Sequence, residues 1–147
     1  MSVSEMVSNN KILQPKKILV IEDDKTMTVL LGRVLLDMNS DIEIHWAASL
    51  EQAVKQLIQN TDIEQSQPYD LVIADIFLEG NGTGLDFFKL MNETYPRIPF
   101  LVISSLAFDQ VLDALEGGTD GSQLTYLRKP FVYNQCKEKV REILNDL

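Results

Sequence analysis

The chain has 147 residues and a mass of 16.7 kDa, room for one domain of the commonest size and not for a second. With 45% hydrophobic and 24% charged residues it has the composition of a globular chain with a substantial core, which excludes disordered, collagen-like and membrane classes. The formal net charge of -9, from 22 acidic against 13 basic residues, argues against a surface for nucleic acid or anionic lipid and favours cations. The single cysteine, Cys136, forms no internal disulfide, and no apolar run reaches the roughly 18 residues of a spanning helix. Met1 to Lys11 lacks the apolar stretch of a secretory signal, so a reducing cytoplasm is the expected compartment.

Residues 1–15, rich in Ser, Asn and Gln, read as a poorly ordered extension, with the folded domain over 16–147. Lys17 to Ile21 is a continuous apolar run that stops at Glu22-Asp23-Asp24, the pattern of a buried parallel strand emerging into a polar loop. Thr26 is the expected cap of a helix whose inner face carries Met27, Leu30, Leu31, Val34, Leu35 and Met38. Asp24 reads as an acid favourable to the helix dipole rather than as a ligand. Ile42 to Ala47 is a second strand, and His45 and Trp46 on it read as surface and packing residues. Ser49 to Gln52 resembles a capping box that opens a helix through Asn60. Tyr69 to Ala74 is a third strand, ending at Asp75. The loop Glu79 to Gly84 precedes a helix over Leu85 to Tyr95, and its glycines lack the spacing of a dinucleotide cradle.

Phe100 to Ile103 is a fourth strand and stops at Ser104-Ser105. A helix follows from Phe108 to Glu116, halted by Gly117-Gly118. Leu124 to Leu127 is the last strand, ending at Arg128-Lys129-Pro130. The closing helix, Val132 to Leu147, turns Val132, Cys136, Val140, Ile143 and Leu144 inward, with Cys136 an inert small hydrophobe. Five strands alternating with five helices predict an α/β fold, a doubly wound parallel sheet with right-handed crossovers.

In such a sheet the ligand crevice lies beyond the carboxyl ends of the strands. Glu22, Asp23, Asp75, Ser104 and Lys129 all fall there. Carboxylates crowded together repel unless a cation compensates them, and magnesium suits a shallow all-oxygen site that also holds a phosphoryl group. An aspartate, ionised at neutral pH, attacks phosphorus without a general base, which makes Asp75 the candidate nucleophile. Lys129 and the Ser104 hydroxyl would offset charge on the phosphoryl oxygens.

Over Lys16 to Leu147 the sequence resembles the receiver domains of two-component response regulators. The matching segments are Ile18 to Asp24, Tyr69 to Asp75, Phe100 to Ser105 and Lys129-Pro130-Phe131, four in order at four strand ends. The resemblance implies a flavodoxin-like (βα)5 sheet of strand order 2-1-3-4-5 and phosphorylation of Asp75 by a histidine kinase or histidine phosphotransfer protein. It also implies Mg2+ or Mn2+ held by Glu22, Asp23, Asp75 and the main-chain carbonyl of Phe77, with Ser104, Ser105 and Lys129 binding the phosphoryl group. Ser104 and Tyr126 would form the switch, and a cis bond would join Lys129 to Pro130. A stand-alone receiver is expected, not a turnover enzyme. Its output would be a changed binding surface for a target protein or a second copy, on the face of the fourth helix, last strand and last helix. Leu78-Glu79 departs from the usual Leu-Pro or Met-Pro, and the loop before Gly84 and the stretch Gly117 to Leu124 are longer than usual. Phe77 is bulky where many relatives carry a polar group, which predicts slow self-dephosphorylation. Two other readings remain. One is a receiver-like binding module that takes no phosphate. The other is a haloacid-dehalogenase-type phosphatase, whose first-strand Asp-x-Asp spacing is absent from Glu22-Asp23-Asp24.

Overall fold

The computed structural model describes residues 14–38, 41–61, 67–76, 84–115 and 124–145. Of the expected extension, residues 1–13 lie outside these. The strands are β1 (Lys16–Ile21), β2 (Ile42–Ala47), β3 (Leu71–Asp75), β4 (Phe100–Ser104) and β5 (Leu124–Arg128). Between and after them come α1 (Lys25–Leu36), α2 (Leu50–Asn60), α3 (Gly84–Thr94), α4 (Phe108–Ala114) and α5 (Tyr133–Asn145). All strand pairs are parallel, in the order β2-β1-β3-β4-β5, as the resemblance implies.

β1, β3 and β4 are apolar almost throughout because each lies between two layers of helix. Alternate side chains divide the core in two. Leu19, Ile21, Val72, Ala74, Phe100 and Val102 face α2, α3 and α4. Ile18, Val20, Leu71, Ile73, Leu101 and Ile103 face α1 and α5. Phe100 is the anchor of the first layer, in ring contact with Phe87 and Phe88 of α3 at 6.3 and 5.1 Å. In the second layer Leu31, Val34 and Leu35 of α1 meet Cys136, Val140, Ile143 and Leu144 of α5. Burial holds the Cys136 thiol up at about 11, which keeps it a protonated hydrophobe as expected.

The helix starts differ from the expected caps. Asp24, not Thr26, caps α1: its Oδ1 accepts the N–H of Thr26 at 2.8 Å and of Met27 at 3.4 Å. A carboxylate at that position satisfies orphan donors and meets the positive end of the dipole, which a threonine two residues later cannot do. At α2, Ser49 Oγ accepts the Gln52 N–H at 3.2 Å, but the Gln52 side chain reaches back to Ala48 N–H at 2.8 Å, one residue beyond the reciprocal bond of a capping box. Glutamine repeats this role where no side chain caps: Gln110 Oε1 accepts Ala107 N–H at 2.9 Å, and Gln135 Oε1 accepts Val132 N–H at 3.0 Å. Val132 is therefore a cap residue, 64% exposed, and not part of the inner face of α5. α4 stops at Ala114, with Leu115 as its C-cap, and the Gly117-Gly118 stop lies outside the described residues.

Asp24→Ala is expected to lower stability by about 1 kcal/mol and Thr26→Ala by well under half of that, read from urea midpoints at unchanged slope. Equal losses would return the cap to Thr26.

Candidate functional site

The chain reverses direction across the sheet between β1 and β3, which opens the crevice at their carboxyl ends. Ile21 pairs with Ala74, so the next residues, Glu22 and Asp75, emerge side by side. Asp75 in turn is level with Ile103, and Ser104 with Arg128. One more ladder bond, Lys129 N–H to Ser104 O at 2.7 Å, carries Lys129 past the end of β5. The Lys129–Pro130 bond is cis, as the resemblance implies. This register brings the Lys129 Nζ to 2.7 Å from Asp75 Oδ2 and 3.7 Å from Glu22 Oε1.

Glu22, Asp23 and Asp75 each direct a carboxylate oxygen into one cluster, all within 4.8 Å of one another. Glu22 is 3% exposed and Asp75 6%. Among the described residues neither Glu22 oxygen receives an N–H or O–H donor, and its close neighbour is the second carboxylate, Asp75. Burial, then that contact and the charge of Asp75, push the Glu22 carboxyl from its ordinary 4.5 up to about 8, with Lys129 opposing and Asp23 adding to the rise. Lys129 is subject to burial, which lowers its pKa, but its hydrogen bond to Asp75 and the charges of Asp75, Glu22 and Asp24 outweigh this and hold it above its ordinary value. Three carboxylates thus face one ammonium. Orphaned buried oxygens in an all-oxygen donor set fit a hard divalent cation, for which Glu22, Asp23 and Asp75 are the protein ligands at hand. Phe77, the fourth expected ligand, lies outside the described residues, as does the loop after it.

Ser104 is fully buried, and its Oγ accepts the Leu106 N–H at 3.0 Å. The Tyr126 hydroxyl donates to the carbonyl oxygen of the same Leu106, and its ring lies 5.4 Å from that of Phe108. Ser105 is exposed beside them. Sequence reasoning missed Gly84. A Cβ there would lie 2.1 Å from the Asp75 carbonyl oxygen and 2.9 Å from its carbon, so only glycine lets the start of α3 pass the backbone of Asp75. Its N–H bonds Ile76 O at 3.1 Å. Gly80, Gly82 and Gly84 look alike in the sequence, and nothing in their spacing marks the last. His45, expected at the surface, is also placed differently: it is half-buried and bonded at both ring nitrogens.

The chain matches the family model of the response regulator receiver domain over residues 18–141. It belongs to that family. Its fold is similar to that of the phosphorylated cyanobacterial phytochrome response regulator RcpA, at 22% identity over 88% of this chain and 91% of that one, with a TM-score of 0.67. The Vibrio cholerae chemotaxis protein CheY4 compares at 19% identity over 88% and 99%, with a TM-score of 0.68. The Mn2+-bound form of the response regulator Rcp1 compares at 25% identity over 88% and 91%, with a TM-score of 0.65. Receiver domains bind a divalent metal in an acidic pocket and act as phosphorylation-controlled switches. Among the described residues no helix is long and apolar enough to cross a membrane.

A carboxyl with a raised folded pKa binds more protons folded than unfolded between its two values, so its contribution to metal-free stability falls as pH rises from 4.5 toward about 8. Each unit of difference is worth about 1.4 kcal/mol. Glu22→Gln is expected to flatten this fall and to stabilise the metal-free chain at pH 8, measured by urea unfolding in chelator. A wild-type profile as flat as that of the variant would show that Glu22 is not the strained group. Gly84→Ala is expected to cost about 1–3 kcal/mol or more by overpacking against Asp75, read in the same way, whereas a neutral substitution would mean that α3 shifts freely.

Proposed function

We propose that the chain accepts a phosphoryl group on Asp75 in a Mg2+- or Mn2+-dependent reaction and works as a phosphorylation-controlled protein-interaction switch or phosphorelay intermediate. The observation that carries this reading is the 2.7 Å contact of Lys129 with Asp75 beside a buried Glu22 without a donor. The proposed donor is the phosphohistidine of a sensor histidine kinase or histidine phosphotransfer protein, and the proposed compartment is the cytoplasm. The domain assignment is a receiver over 16–147 behind an extension over 1–15.

An Asp75 carboxylate oxygen attacks phosphorus. The O–P bond forms as the donor's P–N bond breaks, and its electron pair returns to the imidazole, which leaves neutral when its other nitrogen carries a proton. Glu22 and Asp23 hold the divalent cation together with Asp75, and once bound it neutralises charge on the phosphoryl oxygens. Lys129, already directed at Asp75, turns its ammonium to one of those oxygens, with Ser104 and Ser105 as further donors.

Ser104 links the site to the surface. Its bond to the Leu106 N–H holds the residue whose carbonyl, in the following peptide, Tyr126 holds. When the Ser104 hydroxyl turns toward a phosphoryl oxygen, the Leu106 N–H loses its acceptor, and the segment from β4 to α4 is free to shift with Tyr126. Phe108 and Leu112, four residues apart on α4 and both exposed, give the neighbouring surface an apolar character. The face of α4, β5 and α5 is accordingly the proposed binding surface for a target protein or a second copy.

Incubation with magnesium and acetyl phosphate should add one phosphoryl group, about 80 Da by intact mass, only when both the metal and Asp75 are present. Asp75→Ala should show no gain, and Lys129→Ala should slow it by about 10²-fold or more. No gain in folded wild type that binds magnesium would return the chain to the reading of a binding module without phosphorylation.

A further inference from the structure

A second polar cluster joins the edge strand β2 to the last turn of α2, away from the acidic pocket. His45, level with Leu19 of β1, has its Nδ1 2.9 Å from the Tyr69 hydroxyl and its Nε2 2.9 Å from Glu43 Oε2. The His45 and Tyr69 rings meet edge to face with centroids 5.4 Å apart. Tyr69, just before β3, is 1% exposed. Its hydroxyl accepts an N–H of Asn60 at 3.1 Å and lies 3.5 Å from the carbonyl oxygen of Gln56. The Asn60 amide also donates to that carbonyl at 2.8 Å, so the cluster ends on the backbone of α2.

Among the described residues, the charged and titratable groups around His45 come from three segments. Glu43 is on its own strand. Lys17 of β1 lies 3.8 Å from Glu43, and Asp70, next to Tyr69, accepts the Lys17 N–H at 2.8 Å. What α2 contributes, Gln56 and Asn60, is neutral. Burial and then the charge of Glu43 push the Tyr69 phenol up to about 12, so it keeps its proton at neutral and mildly alkaline pH.

A tyrosine hydroxyl has one proton to give. With a neutral imidazole that proton goes to Nδ1, the Nε2–H donates to Glu43, and every member is satisfied. With an imidazolium both ring nitrogens donate. The Tyr69 oxygen then accepts from His45 as well as from Asn60, and its proton turns to Gln56 O, the remaining acceptor in reach among the described residues. No O–H bond breaks; the hydroxyl only reverses.

We propose that His45, Tyr69 and the last turn of α2 form a proton-coupled relay, in which protonation of His45 at the sheet edge reverses the Tyr69 hydroxyl and changes the hydrogen bonding of Gln56 and Asn60. The relay goes beyond the phosphoryl chemistry and does not depend on it. It gives a domain switched at one end of its sheet a second, pH-sensitive input from the edge.

The test is an NMR titration of the full chain between about pH 5 and 8.5, the range in which imidazole changes charge. His45 is the single histidine, so its ring signals are unambiguous. The side-chain amides of Gln56 and Asn60 are expected to shift with the midpoint of the His45 ring. In Tyr69→Phe the ring should still titrate while the amide shifts shrink several-fold. In His45→Phe the step should vanish. Amides that ignore the His45 midpoint in the wild type, or that follow it undiminished in Tyr69→Phe, would overturn the relay, as would a pH step that survives His45→Phe. Either variant decides if the other does not fold.

Discussion

Two carboxylates buried against one ammonium set the terms for the rest of this structure. Glu22 and Asp75 leave adjacent parallel strands at the same level, and each is almost wholly shielded from water. Lys129 bonds Asp75 and stands at 3.7 Å from Glu22, close enough to attract it and too far to satisfy it. A buried acid without a donor is costly, and burial together with the neighbouring Asp75 carboxylate raises the Glu22 carboxyl above its ordinary value. The site is therefore unbalanced in a definite direction, toward another positive charge.

That imbalance is maintained by parts that look purely structural. The order β2-β1-β3-β4-β5 sets β1 beside β3, and the ladder bonds of β3, β4 and β5 advance by one residue at each step until Lys129 reaches the crevice. A slip of one residue in any of these strands would turn its apolar side chains to the wrong core layer. The two layers, anchored by Phe100 on one side and by the α1–α5 contact on the other, thus hold the charges in place as much as they hold the fold. Gly84 makes the same point at one atom, since α3 packs where it does only because nothing projects toward Asp75.

β1, β3 and β4 were legible because a sheet covered on both faces demands continuous apolar runs there, and Glu22, Asp75 and Ser104 were legible because those runs stop at them, while Lys129 was marked by its place after the last strand and before Pro130. Helix starts were less so. Asp24 and Thr26 are both good caps in isolation, and the choice between them depends on where the backbone first turns, which composition does not reveal. Val132 fits the inner spacing of α5 but precedes its first turn, and of the three glutamines that reach back from the third helical position, Gln52, Gln110 and Gln135, only the first follows a serine that marks it in the sequence. His45 and Gly84 were hidden for another reason. Tyr69 is distant from His45 in sequence and is brought to it by the crossover through α2, and the close pass of Gly84 over the Asp75 backbone depends on how α3 enters after β3, which spacing does not reveal.

Ser104 shows how a small group can belong to two systems at once. Its bond with Leu106 uses a lone pair on Oγ, not its proton, so accepting from Leu106 and donating elsewhere compete only through the single torsion that aims the hydroxyl. Because Ser104 is fully buried, that torsion has few settings, and the packed walls around it favour discrete positions over a continuous range. Tyr126 holds the carbonyl of the same residue, Leu106, one peptide further on, so the residue that Ser104 bonds is also tied to β5. In the proposed switch, a turn of this one side chain in the crevice would select between two arrangements of the segment leading to α4. Such a conversion would need no long chain of intermediates, because one residue, Leu106, joins the Ser104 bond to the Tyr126 bond.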